Sequence, residues 1–194
     1  MTSARKRTPN AKSSKKAQPD RRLAKTRASL AQAFFSLIQQ RDWDDIAVQD
    51  ICVAADVARS SFYAHFDSKI ALLDHMILRS LAASREVRVQ QTGSLGLIAW
   101  IIDHITENRS MLYRVARSGG AQIILNRFKA ALCSELADEL RLEGASRPEV
   151  RANFILGGTF DVLFAWSKTW NVSNLPAVRS HILAMSASTS HNAG

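Results

Sequence analysis

The stretch VARSSFYAHFDSK, residues 57–69, makes two demands that one geometry reconciles. Phe62 and Phe66 stand four apart, the spacing of neighbours on one helix face, and both call for a core. Arg59, Ser60, Tyr63, His65 and Lys69 are polar or basic groups threaded between them. Wound as a helix, the segment turns Val57, Phe62 and Phe66 inward. Arg59, Ser60 and Tyr63 then share the opposite face, because positions 59 and 63 are one turn apart.

The flanking sequence supplies the company such a helix needs. Residues 47–54 read as another short helix, with Val48, Ile51, Cys52 and Ala55 on one side and an interruption at Asp56-Val57. Upstream, 21–41 is amphipathic, with Leu23, Leu30, Phe34, Leu37 and Ile38 at three- and four-residue steps, until residues 42–45 break the pattern. Downstream, a long helix is expected from an Asp67 N-cap towards Gln91, with Leu72, Leu73, Met76, Leu81 and Val87 inward. Two short helices with a tight joint, braced by longer ones, have the layout of a helix-turn-helix. In that layout the second short helix enters the DNA major groove. Lys69 falls in the first turn of the long helix, where a cation opposes the helix dipole. A phosphate docked on that helix end suits the position, with Tyr63 and His65 beside it. The plainer alternative is a solvated lysine offset by Asp67.

Charge points the same way. The net charge is +9, and residues 1–27 hold ten basic groups against Asp20 alone, while the remaining 167 residues balance sixteen against sixteen. Residues 1–19 contain no large apolar side chain after Met1 and are expected to form a disordered basic arm, suited to a polyanion. Only 8 glycines and 4 prolines against 46% hydrophobic residues argue for a helical protein rather than a turn-rich β fold. Cys52 and Cys133 lie inside apolar helical patterns with no CxxC partner, the usage of reduced cysteines in a cytoplasmic protein. No apolar h-region follows the basic N-terminus, and the longest apolar run, residues 95–102, is too short to span a bilayer, so no membrane partner is expected.

From residue 22 to 73 the chain resembles the DNA-binding domain of the TetR family of transcriptional regulators. The resemblance rests on the amphipathic first helix and on IAVQDICVAADVARSSFYAHFDSKIALL at 46–73, above all on Phe62-Tyr63-x-x-Phe66-x-x-Lys69 followed by Leu72. Periodicity along the chain gives about nine helices and no strand, and the resemblance implies an all-α fold with a helix-turn-helix domain at 20–75 joined to a helical effector-binding and dimerisation domain at 76–190. It also implies that Phe62 and Phe66 are core, that Tyr63, Lys69 and His65 grip phosphates, and that Arg59, Ser60 and Ser61 read base edges or adjoining phosphates. Arg59 is best suited to a bidentate contact with guanine. Gln49, Arg22 and Lys25 complete the candidate contacts with a pseudo-palindromic double-stranded operator. Three positions depart from the family pattern: Ala47 and Ala58 stand where capping hydroxyls are usual, and Asp56 where glycine is.

The second half is expected to be helical at about 95–107, 109–117, 121–142, 146–170 and 176–186, after a break at 91–96. The stripe of the third is Ile124, Leu125, Phe128, Leu132, Leu136 and Leu140. The fourth opens with Ser146 as N-cap, Pro148 in the first turn and Glu149 reaching back. Gly157-Gly158 inside that helix costs about 1 kcal/mol each against alanine, which a close helix approach offsets. Phe154, Gly157, Gly158, Val162 and Ala165 are therefore the expected homodimer contact, against the alternative of a bulky neighbour within the subunit. Trp100, His104, Tyr113, Phe128, Phe160 and a partly buried Asp161 are the candidates for a small-molecule effector pocket; plain core is the alternative for the aromatics. No nucleotide-binding loop, nucleophile elbow or HExxH occurs, and the five histidines lack ligand spacing, so neither an enzyme, a metal site nor a cofactor is expected. A protein-binding coregulator of the same fold and a low-specificity DNA binder using the basic arm remain the alternatives to a ligand-responsive repressor.

Overall fold

The computed structural model describes residues 17–88, 93–109, 121–169 and 174–191, and those residues form eight α-helices, one 3-10 turn and no strand. The expected helix at 109–117, with Tyr113, and the arm up to residue 16 lie outside them.

The N-terminal unit is built by α1 (Ala17–Ile38), the 3-10 turn Trp43–Asp45, α2 (Val48–Ala55), α3 (Arg59–Tyr63) and α4 (Lys69–Val87). Residues 17–19, expected in the arm, are the first turn of α1. The buried stripe of α1 starts at Leu30 and continues through Ala33, Phe34 and Ile38, whereas Leu23 is 47% exposed: the first three turns run beyond the core they were expected to join. Trp43 tucks under α1, its ring centroid 5.7 Å from that of Phe34.

Short helices need their ends satisfied, and here they are satisfied unusually. Ala47 caps α2 with no side-chain oxygen, but the Asp50 carboxylate reaches back and accepts from the Ala47 N–H at 2.8 Å. That bond, with Arg41 at 3.4 Å, holds the Asp50 carboxyl below its ordinary range. Asp56 ends α2 at φ 52°, so the aspartate does adopt the left-handed turn usually given to glycine. Ala58 precedes α3 with no side-chain cap. The cap of α4 is Ser68, whose Oγ accepts from the Ala71 N–H at 3.2 Å, and not Asp67 as expected.

The remaining helices are α5 (Ser94–Glu107), α6 (Ala121–Leu142), α7 (Pro148–Thr169) and α8 (Leu175–His191). α6 packs most extensively on α7, α7 on α8, and α5 and α6 close the bundle back onto α8 and α4. A single apolar cluster runs from Leu30 and Phe34 through Leu72, Ile102 and Leu136 to Ile182, so the two halves share one core. At the end of α4 the inward position is taken by Arg88, not by Val87, which is 76% exposed. The exchange works because Arg88 finds two carboxylates on α6, Glu139 at 2.5 Å and Glu135 at 3.2 Å. Glu143 then secures α5, accepting from the Ser94 N–H at 2.6 Å and from its hydroxyl at 2.9 Å. Gly93 (φ 83°) makes room for that carboxylate, which a Cβ would strike.

α7 does begin at Pro148, but without the expected capping box: Arg147 turns to φ 53°, the Ser146 hydroxyl accepts from Arg151 at 3.2 Å and Glu149 pairs with Arg141 at 2.5 Å. Cys52 is buried and Cys133 half-buried; both are free, and burial pushes both thiols up. Among the described residues no helix is long and apolar enough to cross a membrane, and no cluster of side chains suits a metal ion.

Candidate DNA-binding site

α3 is five residues long and stands on an aromatic base. Phe62 is fully buried and Phe66 is 7% exposed, with ring centroids 5.9 Å apart. Tyr63 meets the edge of Phe62 at 5.4 Å and leaves 46% of itself in solvent. One turn back on the same exposed face, the Arg59 guanidinium lies 5.7 Å from the Tyr63 ring centroid and donates to its hydroxyl at 3.4 Å. Ser60 is exposed alongside, while Ser61 and His65 are half-buried, the latter leaning towards Phe66 at 6.3 Å. Arg59, Ser60 and Tyr63 thus form one outward surface on a buried aromatic base, with the Arg59 guanidinium held beside the Tyr63 ring. Gln49 on α2 and Arg22 and Lys25 on α1 are exposed, with Lys25 bordering a shallow groove it shares with Ala54 and Ala55.

Lys69 already has partners inside the fold. Its Nζ donates to the Trp43 carbonyl at 2.7 Å and to the Ile46 carbonyl at 2.9 Å, and it sits 4.5 Å from the centre of the Trp43 ring. Burial pulls its pKa down. Two of its three donors are spent on the turn between α1 and α2, so the lysine ties the start of α4 to that turn and keeps one donor over.

A cavity of about 140 Å³ lies where this unit meets the second half. Of the expected pocket residues, His104, Phe128 and Phe160 line it, and Trp100 backs it by stacking on His104 at 4.7 Å and 21°. Asp161 does not belong to it: the carboxylate is exposed on the other face of α7, where solvent removes the need for a buried partner. Walls that were not anticipated come from α1, through Phe35 and Ile38, and from α4, through Leu73, Met76 and Ile77. The doublet Phe34-Phe35 was the available sign, since adjacent residues on a helix point about 100° apart and only one joins the main stripe.

On α7, Phe154 is 71% and Val150 63% exposed, in line with exposed Gly158 and Ala165; Gly157 and Val162 are half-buried. A Cβ built on either glycine meets nothing within 4 Å, so none of the described residues of the subunit occupies that space.

Residues 31–76, which hold α2, α3 and most of the surface just described, match the family model for bacterial regulatory proteins of the tetR family. The chain carries a TetR-family DNA-binding domain. A segment of 69 residues is 38% identical to the HTH-type transcriptional regulator YxbF of Bacillus subtilis (strain 168), covering 35% of this chain and 18% of that protein. The chain therefore spans under a fifth of that relative's length. The fold extends further than the sequence match. A TetR transcriptional regulator from Streptococcus agalactiae 2603V superposes with a TM-score of 0.63 at 23% identity, over 88% of this chain and 98% of its own. The regulator FadR from Bacillus subtilis, solved in complex with stearoyl-CoA, superposes at 0.54 and 14% identity, over 84% and 98%. Both likenesses place the TetR domain at the head of a helical second half of the same fold.

Proposed function

We propose that the protein is a cytoplasmic, sequence-specific transcriptional regulator of the TetR family: a homodimer that represses from a pseudo-palindromic operator and is released by a small molecule in the cavity beside α1 and α4. The observation that carries this reading is α3, which presents Arg59, Ser60 and Tyr63 outward on the buried Phe62–Phe66 base. Arg59 reads a base edge, Tyr63 and Ser60 hold backbone phosphates, and the basic arm adds affinity that salt screens. The outward row Val150, Phe154, Gly158 and Ala165 favours a twofold contact through α7, because the open space over the glycines admits a second copy. Two copies of α3 then meet half-sites about one helical turn, roughly 34 Å, apart.

The test is Arg59→Ala against a selected operator. The expected result is relaxed base preference at one position of each half-site, at about 1–3 kcal/mol, with weak nonspecific binding kept. A uniform loss on every duplex contradicts the assignment of Arg59 to base reading. For the dimer, Gly158→Leu is expected to shift sedimentation from dimer to monomer without unfolding the chain.

A further inference from the structure

The walls of the cavity are specific enough to name what it takes. One side is a run of rings: Trp100 stacks on His104, His104 lies 5.7 Å from Phe128, and Phe128 meets Phe160 edge-on at 6.5 Å and 86°. The other side is aliphatic, from Ile38 on α1 and Met76 on α4, the latter an adaptable filler. Among the described lining residues none is Asp, Glu, Lys or Arg. The polar groups are Ser80, Asn108 and His104, and burial pulls the His104 pKa down, so its imidazole is neutral at pH 7.

We infer that this cavity binds a small uncharged aromatic molecule, one ring in size, gripped between the ring wall and α1 and α4. The inference rests on the proposed effector reading and gives that site its ligand class. Volume sets the size, since about 140 Å³ compares with the roughly 150 Å³ apolar cavity that takes up benzene. An edge-to-face wall favours an aromatic over an alkane of equal volume. A carboxylate is disfavoured because no cation among the described lining residues offsets its desolvation. A long acyl chain, such as the one on the ligand solved with FadR, reaches beyond the described cavity of about 140 Å³. The ring's position also gives it leverage: Ile38 and Met76 belong to the TetR domain, so occupancy alters how α1 packs on α4, the frame that holds α3.

The experiment is calorimetry on the full chain with toluene, phenol, benzoate and stearoyl-CoA, repeated on two variants that fill the cavity from different helices, Leu125→Phe and Ser80→Leu. Toluene and phenol are expected to bind, benzoate and stearoyl-CoA to give no heat, and each folded filling variant to weaken ring binding by about tenfold or more. Tighter binding of benzoate or stearoyl-CoA, no binding of either neutral ring, or ring binding untouched by both variants overturns the inference. Operator binding, measured in parallel, separates the two levels. Intact DNA binding without ring uptake removes the ligand class alone. Ring uptake that leaves operator affinity unchanged keeps the ligand class and removes the effector reading beneath it.

Discussion

Lys69 holds its ammonium between the Trp43 and Ile46 carbonyls, 2.7 and 2.9 Å away, over the Trp43 ring. Removing it strands the Ile46 carbonyl and leaves the Trp43 carbonyl with the Ile46 N–H alone. Lys69→Met is therefore expected to destabilise the fold by about 1–3 kcal/mol, read as a lower urea midpoint. The salt slope of DNA binding, corrected for the folded fraction, is expected to stay unchanged; a slope reduced by about one returns Lys69 to the phosphate contacts. This residue marks a limit of reading from sequence. Its partners lie 23 and 26 positions away and are main-chain carbonyls, which no side-chain pattern encodes. By contrast, Phe62 and Phe66 were legible from a four-residue spacing, and the left-handed turn at Asp56 (φ 52°) from the family resemblance, which puts a glycine there. Asp161 was misjudged because its apolar neighbours in sequence occupy other faces of α7 in space.

At the scale of elements, α4 connects the DNA-binding unit to the second half, and its far end is clamped to α6 by ions. Glu135 accepts from Arg85 Nε at 2.6 Å and also binds Arg88, and these guanidiniums, Arg85 foremost, hold its carboxyl below the ordinary range. Glu139 shares Arg88 yet is pushed up, because burial outweighs its single ion pair. The Arg88 and Glu135 side chains are only 7% and 8% exposed. Glu135→Ala leaves the buried Arg88 guanidinium with Glu139 alone and is expected to cost about 1–3 kcal/mol by urea unfolding. Arg85, with its side chain 63% exposed, is expected to cost under about 1 kcal/mol when replaced by alanine. Equal losses contradict the view that burial makes this clamp matter. Helical periodicity showed where α4 and α6 run, but not that their contact ends in ion pairs, since Arg88 continues a position where the pattern called for an apolar residue.

For the molecule as a whole, acid acts on histidines that the fold keeps neutral. His75 lies beside Phe66 at 5.3 Å with its Nε2 buried and unpartnered; burial first, then Arg79 and Arg27, lower its pKa. His104 is lowered by burial as well. The unfolded chain titrates both near the ordinary value of about 6.5, so below that pH it binds more protons than the folded chain. The melting temperature is therefore expected to hold above about pH 6.5 and to fall as pH drops further. His75→Leu is expected to flatten part of that fall, and an unchanged pH profile in the variant contradicts the assignment. The shared core explains the reach of such an effect, because Phe66 beside His75 is also the base of α3. Sequence reading by α3 is checked by binding to duplexes from the DNA around the protein's own gene, beside a shuffled duplex, as salt is raised. A preference that survives high salt is the predicted result; equal binding that disappears with salt contradicts it and leaves the basic arm as the only contact with DNA.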